Sequence, residues 1–230
     1  MQRLVEPEWL DSLAPSDPRA RGSRRDLRRV NWIMGNARLT ARALVRGAAR
    51  PPSRIVDIGA GDGAFSLSLA RRLAPRWPGL NVVLVDRAPA VEPATLAAIR
   101  AAGWKPEIVA ADVFDWCRRP RTAGEAVVAN LFLHHFDDAA LGRLLAALAD
   151  GAAIVAACEP RRSALALAGS RLLGLIGCND VTRHDAVVSV RAGFTGREIS
   201  ALWPQVSGWR LAEGPANLTS HLFVAAREAA

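Results

Sequence analysis

Tyrosine is absent from this 230-residue chain, Lys105 is the single lysine, and aromatic residues make up only 6% of the whole. Nearly every cation is therefore arginine, and stacking side chains of the kind that grip nucleic-acid bases are scarce. Three cysteines, Cys117, Cys158 and Cys178, form no C-x-x-C pair. That spacing argues against structural zinc, gives no metal or redox role, and fits a reducing cytoplasm. Long apolar runs are also missing. Met1 to Asp11 is polar and has no apolar signal core, and the richest later run, Ala164 to Cys178, is interrupted by Arg171 and too short to cross a bilayer. A soluble cytoplasmic protein is expected.

Acidic residues are scarce in one place. From Arg19 to Arg50 the arginines at 19, 21, 24, 25, 28, 29, 38, 42, 46 and 50 face only Asp26, and the positive excess of this segment accounts for the chain's net charge of +8. A basic helical face attracts an anionic membrane surface, nucleic acid or an acidic partner, or is simply solvated.

Half of the residues are apolar, and the length suits one well-buried domain. Pro7, Pro15 and Pro18 break up the beginning, and Arg24 to Gly47 reads as one or two helices closed by Pro51-Pro52. Beyond them short apolar runs alternate with helical patterns. Arg54–Ile58, Asn81–Asp86, Glu107–Ala110, Ala126–Asn130 and Ala152–Cys158 read as strands buried on both faces. Ala64–Leu73, Ala90–Ala101 and Asp138–Ala149 read as helices. Such alternation requires a parallel sheet with right-handed crossovers, an α/β doubly wound, Rossmann-like architecture. Near the end, Trp209–Glu213 and Ser220–Ala226 are too close for a crossover helix, so an antiparallel hairpin is expected. The divisions are an N-terminal helical lid (24–50), a core (51–158), a cap insertion (159–203) and the hairpin (204–230).

Between the first strand and its helix runs Val56-Asp57-Ile58-Gly59-Ala60-Gly61-Asp62-Gly63-Ala64. Glycines at 59, 61 and 63 leave backbone open where a ligand presses close, and the following helix aims N–H groups at it. The stretch resembles the S-adenosylmethionine loop of class I methyltransferases, although Gly59-x-Gly61-x-x-Ala64 also satisfies a dinucleotide fingerprint. The acids decide. Asp57 before the loop suits the positive sulfonium and ammonium side of S-adenosylmethionine and repels a pyrophosphate. Asp86, at the end of the second strand and followed by Arg87, stands where a carboxylate accepts ribose hydroxyls. Asp112-Val113 resembles the family's adenine contact. Asp57, Gly59, Ala60, Gly61, Gly63, Asp86, Arg87, Asp112, Val113 and Asn130 are therefore the expected cofactor residues.

Asn130-Leu131-Phe132-Leu133-His134-His135-Phe136-Asp137-Asp138 looks like the segment that small-molecule methyltransferases place beside the cofactor's methionine end. It does not resemble the Pro-Pro-aromatic motif of amino-group methyltransferases. His134 and His135 form the pocket wall or cap, or one of them is a general base, and Asp137 and Asp138 cap the next helix. Val181-Thr182-Arg183-His184-Asp185, with Phe194-Thr195-Gly196-Arg197, resembles bacterial methyltransferases associated with type III polyketide synthases. In that subgroup the stretch belongs to the cap over the acceptor.

The resemblance implies O-methylation of a small aromatic, phenolic or polyketide-derived acceptor, with His184 as base, Asp185 beside it and His135 in reserve. The plainer reading of the same stretch is a helix start capped by Asp180 or Thr182. A phenol of pKa about 10 needs such a base before it attacks, and histidine at about 6.5 serves. The apolar run from Arg161 to Cys178 reads as buried core or as the lining of a lipid-tail pocket. Three rival readings stand beside this one: an RNA or ribosomal methyltransferase motivated by the arginines, a cofactor-binding regulatory protein without turnover, and a nicotinamide oxidoreductase. Lack of tyrosine and of an added RNA-binding module disfavours nucleic acid, while peripheral contact of the arginine-rich helices with a membrane surface stays open.

Overall fold

The computed structural model describes residues 1–14 and 16–228, so Pro15 lies outside the described residues. Parallel strands β1 (Arg54–Ile58), β2 (Asn81–Asp86), β3 (Lys105–Ala110), β4 (Ala126–Asn130) and β5 (Ile154–Pro160) join a C-terminal hairpin, β6 (Trp209–Pro215) and β7 (Ser220–Arg227). The seven-stranded sheet runs β3-β2-β1-β4-β5-β7-β6, with β7 antiparallel to both of its neighbours. The expected sheet and hairpin are both present.

Pleating sends successive side chains to opposite faces. Val56, Ile58, Val83, Val85, Val127 and Ala129 point to one side and pack on Trp116, Leu141, Leu144 and Trp203. Ile55, Val82, Leu84, Ala126 and Val128 point to the other side and pack on Leu44, Leu69, Leu73 and Ile99. Helices α3 (Asn36–Gly47), α4 (Ala64–Leu73) and α5 (Pro93–Ala101) cover the second face, and α6 (Val113–Cys117), α7 (Asp138–Gly151) and α10 (Glu198–Leu202) cover the first. Burial on both faces does not extend to β3, whose residues are half-buried or exposed because an edge strand is covered on one side only.

The segment expected to form a lid is two helices. Pro18 begins α2 (Pro18–Met34) instead of breaking the chain, since proline at the first helical position loses no hydrogen bond, and Asp17 caps it by accepting from the Arg19 N–H. Gly35, at φ 70°, ends α2 and starts α3. The expected buried run at 161–178 is instead α8 (Ala164–Arg171) followed by a 3-10 turn at Leu173–Ile176. Leu165, Leu172, Leu175 and Ile176 are exposed there, because the cap insertion stands at the periphery. α9 (Asp180–Ala192) is capped by Asn179, whose side chain accepts from the Thr182 N–H; neither Asp180 nor Thr182 is the cap. Among the described residues no helix is long and apolar enough to cross a membrane.

The first fourteen residues form a strap with one short helix, α1 (Trp9–Ser12). Arg3 fastens it through Asp138 at 2.7 Å and the carbonyls of Phe136 and Ala192. Asp138 thus holds the strap, while Asp137 alone caps α7 by accepting from the Ala140 N–H.

Candidate active site

At the C-terminal ends of β1 to β4 lie two cavities, of about 230 and 640 Å³, which share the walls Glu8, Leu10, Arg24, Leu27, Gly59, Gly61 and Leu131. Asp57, Ala60 and Asn130 line the smaller, and Asp86, Arg87, Asp112 and Val113 the larger. The expected cofactor residues therefore converge on one cleft, except that Gly63 serves as the N-cap of α4 behind it.

The loop is held open by its own backbone. The N–H groups of Gly59 and Ala60 donate to the Val85 carbonyl at 2.9 and 3.1 Å, tying the loop to β2. Gly59 has φ 72°, and a Cβ there would stand 2.2 Å from the Phe132 ring, so only glycine fits. Gly61, at φ 55°, has nothing within 4 Å of where its Cβ would be and borders both cavities. Asp86 accepts from the N–H of Gly61 through Oδ2 and of Ala88 through Oδ1, both at 2.8 Å, which fixes its carboxylate at the cavity edge. Asp112 caps α6 through Oδ1, accepting from the Phe114 N–H at 2.8 Å. Each oxygen retains a lone pair for a further donor.

Asp57 is buried and accepts from the Ser66 hydroxyl at 2.6 Å. Burial lifts its carboxyl to about 7 against that hydrogen bond, and the charges of Asp86 and Asp62 add to the rise. A carboxylate so poised is stabilised by a cationic ligand group. Together with the open backbone at Gly61, this fits S-adenosylmethionine, whose positive end Asp57 would meet, with Asp86 and Asp112 as the carboxylates that would accept from its ribose and adenine.

Asn130 belongs to a side-chain network in which Asn36 Nδ2 donates to Asn130 Oδ1 at 2.9 Å and to Asn31 Oδ1 at 3.1 Å, joining both lid helices to β4. Leu131 follows at φ 52°, an uncommon conformation for a bulky residue and a local cost accepted at the cavity wall.

Glu159 organises the next turn. Its carboxylate accepts from the backbone N–H of Phe132 and Leu133 at 3.1 and 3.0 Å, and from His134 Nδ1 at 2.8 Å. His134 Nε2 faces Glu8 Oε1 of the strap at 3.3 Å, and Ser189 also donates to Glu8. Burial alone would lower the His134 pKa, but the bonds and charges of the two carboxylates raise it to about 9, leaving an imidazolium. Burial likewise opposes ionisation of Glu8, and His134 overcomes it, holding that carboxyl down at about 2. Ligating atoms of Glu8, His134 and His135 all lie within 4.8 Å of one another. With both nitrogens of His134 committed as donors to carboxylates, the trio is an ion-pair centre in this state and not a metal-binding one.

His135 differs from its neighbour. It lines the larger cavity with Phe132 and Phe136, and burial followed by repulsion from His134 lowers its pKa against the pull of Glu8 and Asp11. Burial and the charge of His134 thus both favour its neutral, proton-accepting form.

His184 and Asp185 border neither cavity. The His184 ring stacks on Trp9 with centroids 3.9 Å apart, and its Nδ1 meets Asp185 Oδ1 at 2.9 Å. Asp185 accepts from the backbone N–H groups of Trp9 and Leu10 at 2.8 and 3.0 Å, capping α1. The expected base at His184 thus stands outside both cavity walls, where the pair grips the strap. Sequence reasoning also missed Glu8 and Glu159. No local pattern marks them, since their partner His134 lies 126 and 25 residues away.

Residues 55–174 match the methyltransferase domain family, and the chain belongs to that family. S-adenosylmethionine is its methyl donor. One curated relative, a trans-aconitate 2-methyltransferase of Mycolicibacterium gilvum (strain PYR-GCK), is 38% identical over 91 residues. That match spans 40% of this chain and 31% of the relative. Among solved structures, the plantazolicin methyltransferase BpumL in complex with SAH superposes with a TM-score of 0.63 at 13% identity, covering 93% of this chain and 92% of that one. The pyocyanin biosynthetic protein PhzM superposes with a TM-score of 0.56 at 20% identity, covering 95% and 60%. At these identities the likeness is one of fold.

Proposed function

We propose that the chain methylates an oxygen of a small phenolic, polyketide-derived acceptor, with His135 taking the phenolic proton. The observation that carries this reading is the position of the His135 ring in the wall of the cavity that Gly59 and Gly61 also border. When bound, S-adenosylmethionine supplies an electrophilic methyl group. The chain's own part is to hold the acceptor close, exclude water and remove one proton as the phenol attacks. His134 cannot share that task while both carboxylates keep it protonated; it positions the turn and keeps its neighbour uncharged. Phe132 and Phe136, at 5.2 Å in an edge-on pair beside His135, supply aromatic surface on which a phenol ring packs.

The test is incubation with methyl-labelled S-adenosylmethionine and a panel of simple and alkyl-substituted phenols, read by mass spectrometry. Labelled aryl methyl ether supports the proposal, and absence of label from every phenol in the panel sinks it.

A second reading has its own support. Arg28, Arg38 and Arg72 border the smaller cavity, which suits an acceptor carrying a carboxylate, the chemistry named in the M. gilvum relative. A carboxylate is already ionised and needs no base, so its methyl ester would form equally well in a His135→Gln variant, whereas the aryl ether would not.

A further inference from the structure

Outside the cleft, α2 and the turn after α8 share an unusual surface. Helical spacing aligns Arg21, Arg25, Arg29, Trp32 and Ile33 along one side of α2, all of them exposed, and Trp32 is 78% exposed. The 3-10 turn and the residue before it expose Leu172, Leu175 and Ile176, with Leu175 82% exposed. These two elements adjoin: Arg29 Nη2 donates to the Ile176 carbonyl at 3.0 Å, one helical turn before Trp32 and Ile33. Large exposed apolar side chains thus flank this contact on both elements.

The charge around them has one sign. No acid occurs from Arg161 to Asn179. Three acids beside α2 are engaged by its arginines, Asp26 by Arg29, Asp62 by Arg28 and Asp180 by Arg19, and a fourth, Asp17, caps its N-terminus at the end far from Trp32. Arg21, Arg25 and Arg171 add exposed cations beside the apolar tips.

We propose that this face docks on the surface of an anionic lipid bilayer. Trp32, Ile33, Leu172, Leu175 and Ile176 enter the boundary between headgroups and acyl chains, and the flanking arginines bind lipid phosphates. Tryptophan with aliphatic neighbours is what an interface favours, and a basic surround is attracted to anionic headgroups within a Debye length. RNA would use the arginines but gain nothing from aliphatic protrusions. Trp32 and Arg28 also border the smaller cavity, so the docked face places a cavity wall at the lipid boundary. That an apolar acceptor enters from the bilayer rests on the methyl-transfer reading; the docking itself does not.

The experiment is co-sedimentation of the full chain, without cofactor, with vesicles of phosphatidylcholine alone and of phosphatidylcholine mixed with phosphatidylglycerol. The protein should pellet with the mixed vesicles at low salt, at least about tenfold more than with the neutral ones, and high salt should weaken the association. The double variant Leu175→Asp/Ile176→Asp should lose about tenfold of that binding while keeping the wild-type melting temperature and SAH affinity. A wild-type protein that stays in the supernatant, or a variant that pellets equally well, would overturn the proposal. So would a wild-type dimer by light scattering that the variant converts to monomer with no vesicle binding, since the face would then belong to a second copy. Failure of the phenol assay would leave these outcomes unaffected.

Discussion

The imidazole of His184 stacks on the indole of Trp9, centroids 3.9 Å apart and planes 9° from parallel, so this histidine clamps the N-terminal strap. With Asp185 accepting two strap N–H groups, the pair secures the segment that carries Glu8 and Asp11 to the cleft. His184→Ala should therefore weaken cofactor binding several-fold and lower the melting temperature, because a stacked contact of this kind contributes about 1 kcal/mol. The pH dependence of kcat should keep its wild-type shape. A lost acidic limb with unchanged cofactor affinity would return the role of base to His184.

His135→Gln should lower kcat on a phenol by about a hundred- to ten-thousand-fold, the usual contribution of a positioned general base. Cofactor affinity should stay within a few-fold of wild type, since the loop and acids that hold it are untouched. Stopped turnover with equal loss of SAH binding would make His135 a structural residue.

Much of this was legible in the sequence, and the exceptions share a cause. β1, β2 and β4 coincide with their apolar runs, and the glycine loop with Asp86 and Asp112 fell where strand ends dictate, because these signals are local in the chain. The place of His184 was not legible, since its ring partner, Trp9, is 175 residues distant and nothing in Thr-Arg-His-Asp announces it. Composition alone offers the leucines of 165–175 as core or as pocket lining, yet Leu165, Leu172 and Leu175 are exposed, because burial depends on what packs against a segment. Glu8 and Glu159 were invisible because a buried charge is justified only by its partner in space.

Glu159→Gln should be among the most damaging substitutions outside the glycine loop. It leaves the protonated His134 short of one carboxylate in a buried site, and breaking such a pair costs about 3–5 kcal/mol. The pair also sets a pH dependence. His134 is raised from 6.5 to about 9 in the fold, so its stabilising contribution is complete below 6.5 and is withdrawn as pH rises through 9. Glu8, depressed from 4.5 to about 2, contributes above 4.5 and is lost as pH falls through 2. Thermal unfolding of the wild type should show a falling midpoint from pH 6.5 to 9, and the Glu159→Gln variant a flatter profile in that window. An identical slope in both would disprove the assignment.

Asp57 links cofactor affinity to pH in the opposite sense. In the ligand-free protein burial keeps a proton on this carboxyl up to about pH 7, and an ammonium or sulfonium group favours the ionised form. Binding below pH 7 should then release a proton, with SAH affinity falling up to about tenfold for each unit of further acidification. Above pH 7 the carboxylate is already ionised, and this dependence should level off. Titration calorimetry at pH 6 in buffers of different ionisation enthalpy would read the released proton directly. Asp57→Asn, isosteric but never charged, should bind weakly at every pH and release none, while its Ser66 contact and fold persist. Proton release of the same size from that variant would place the linkage on another group.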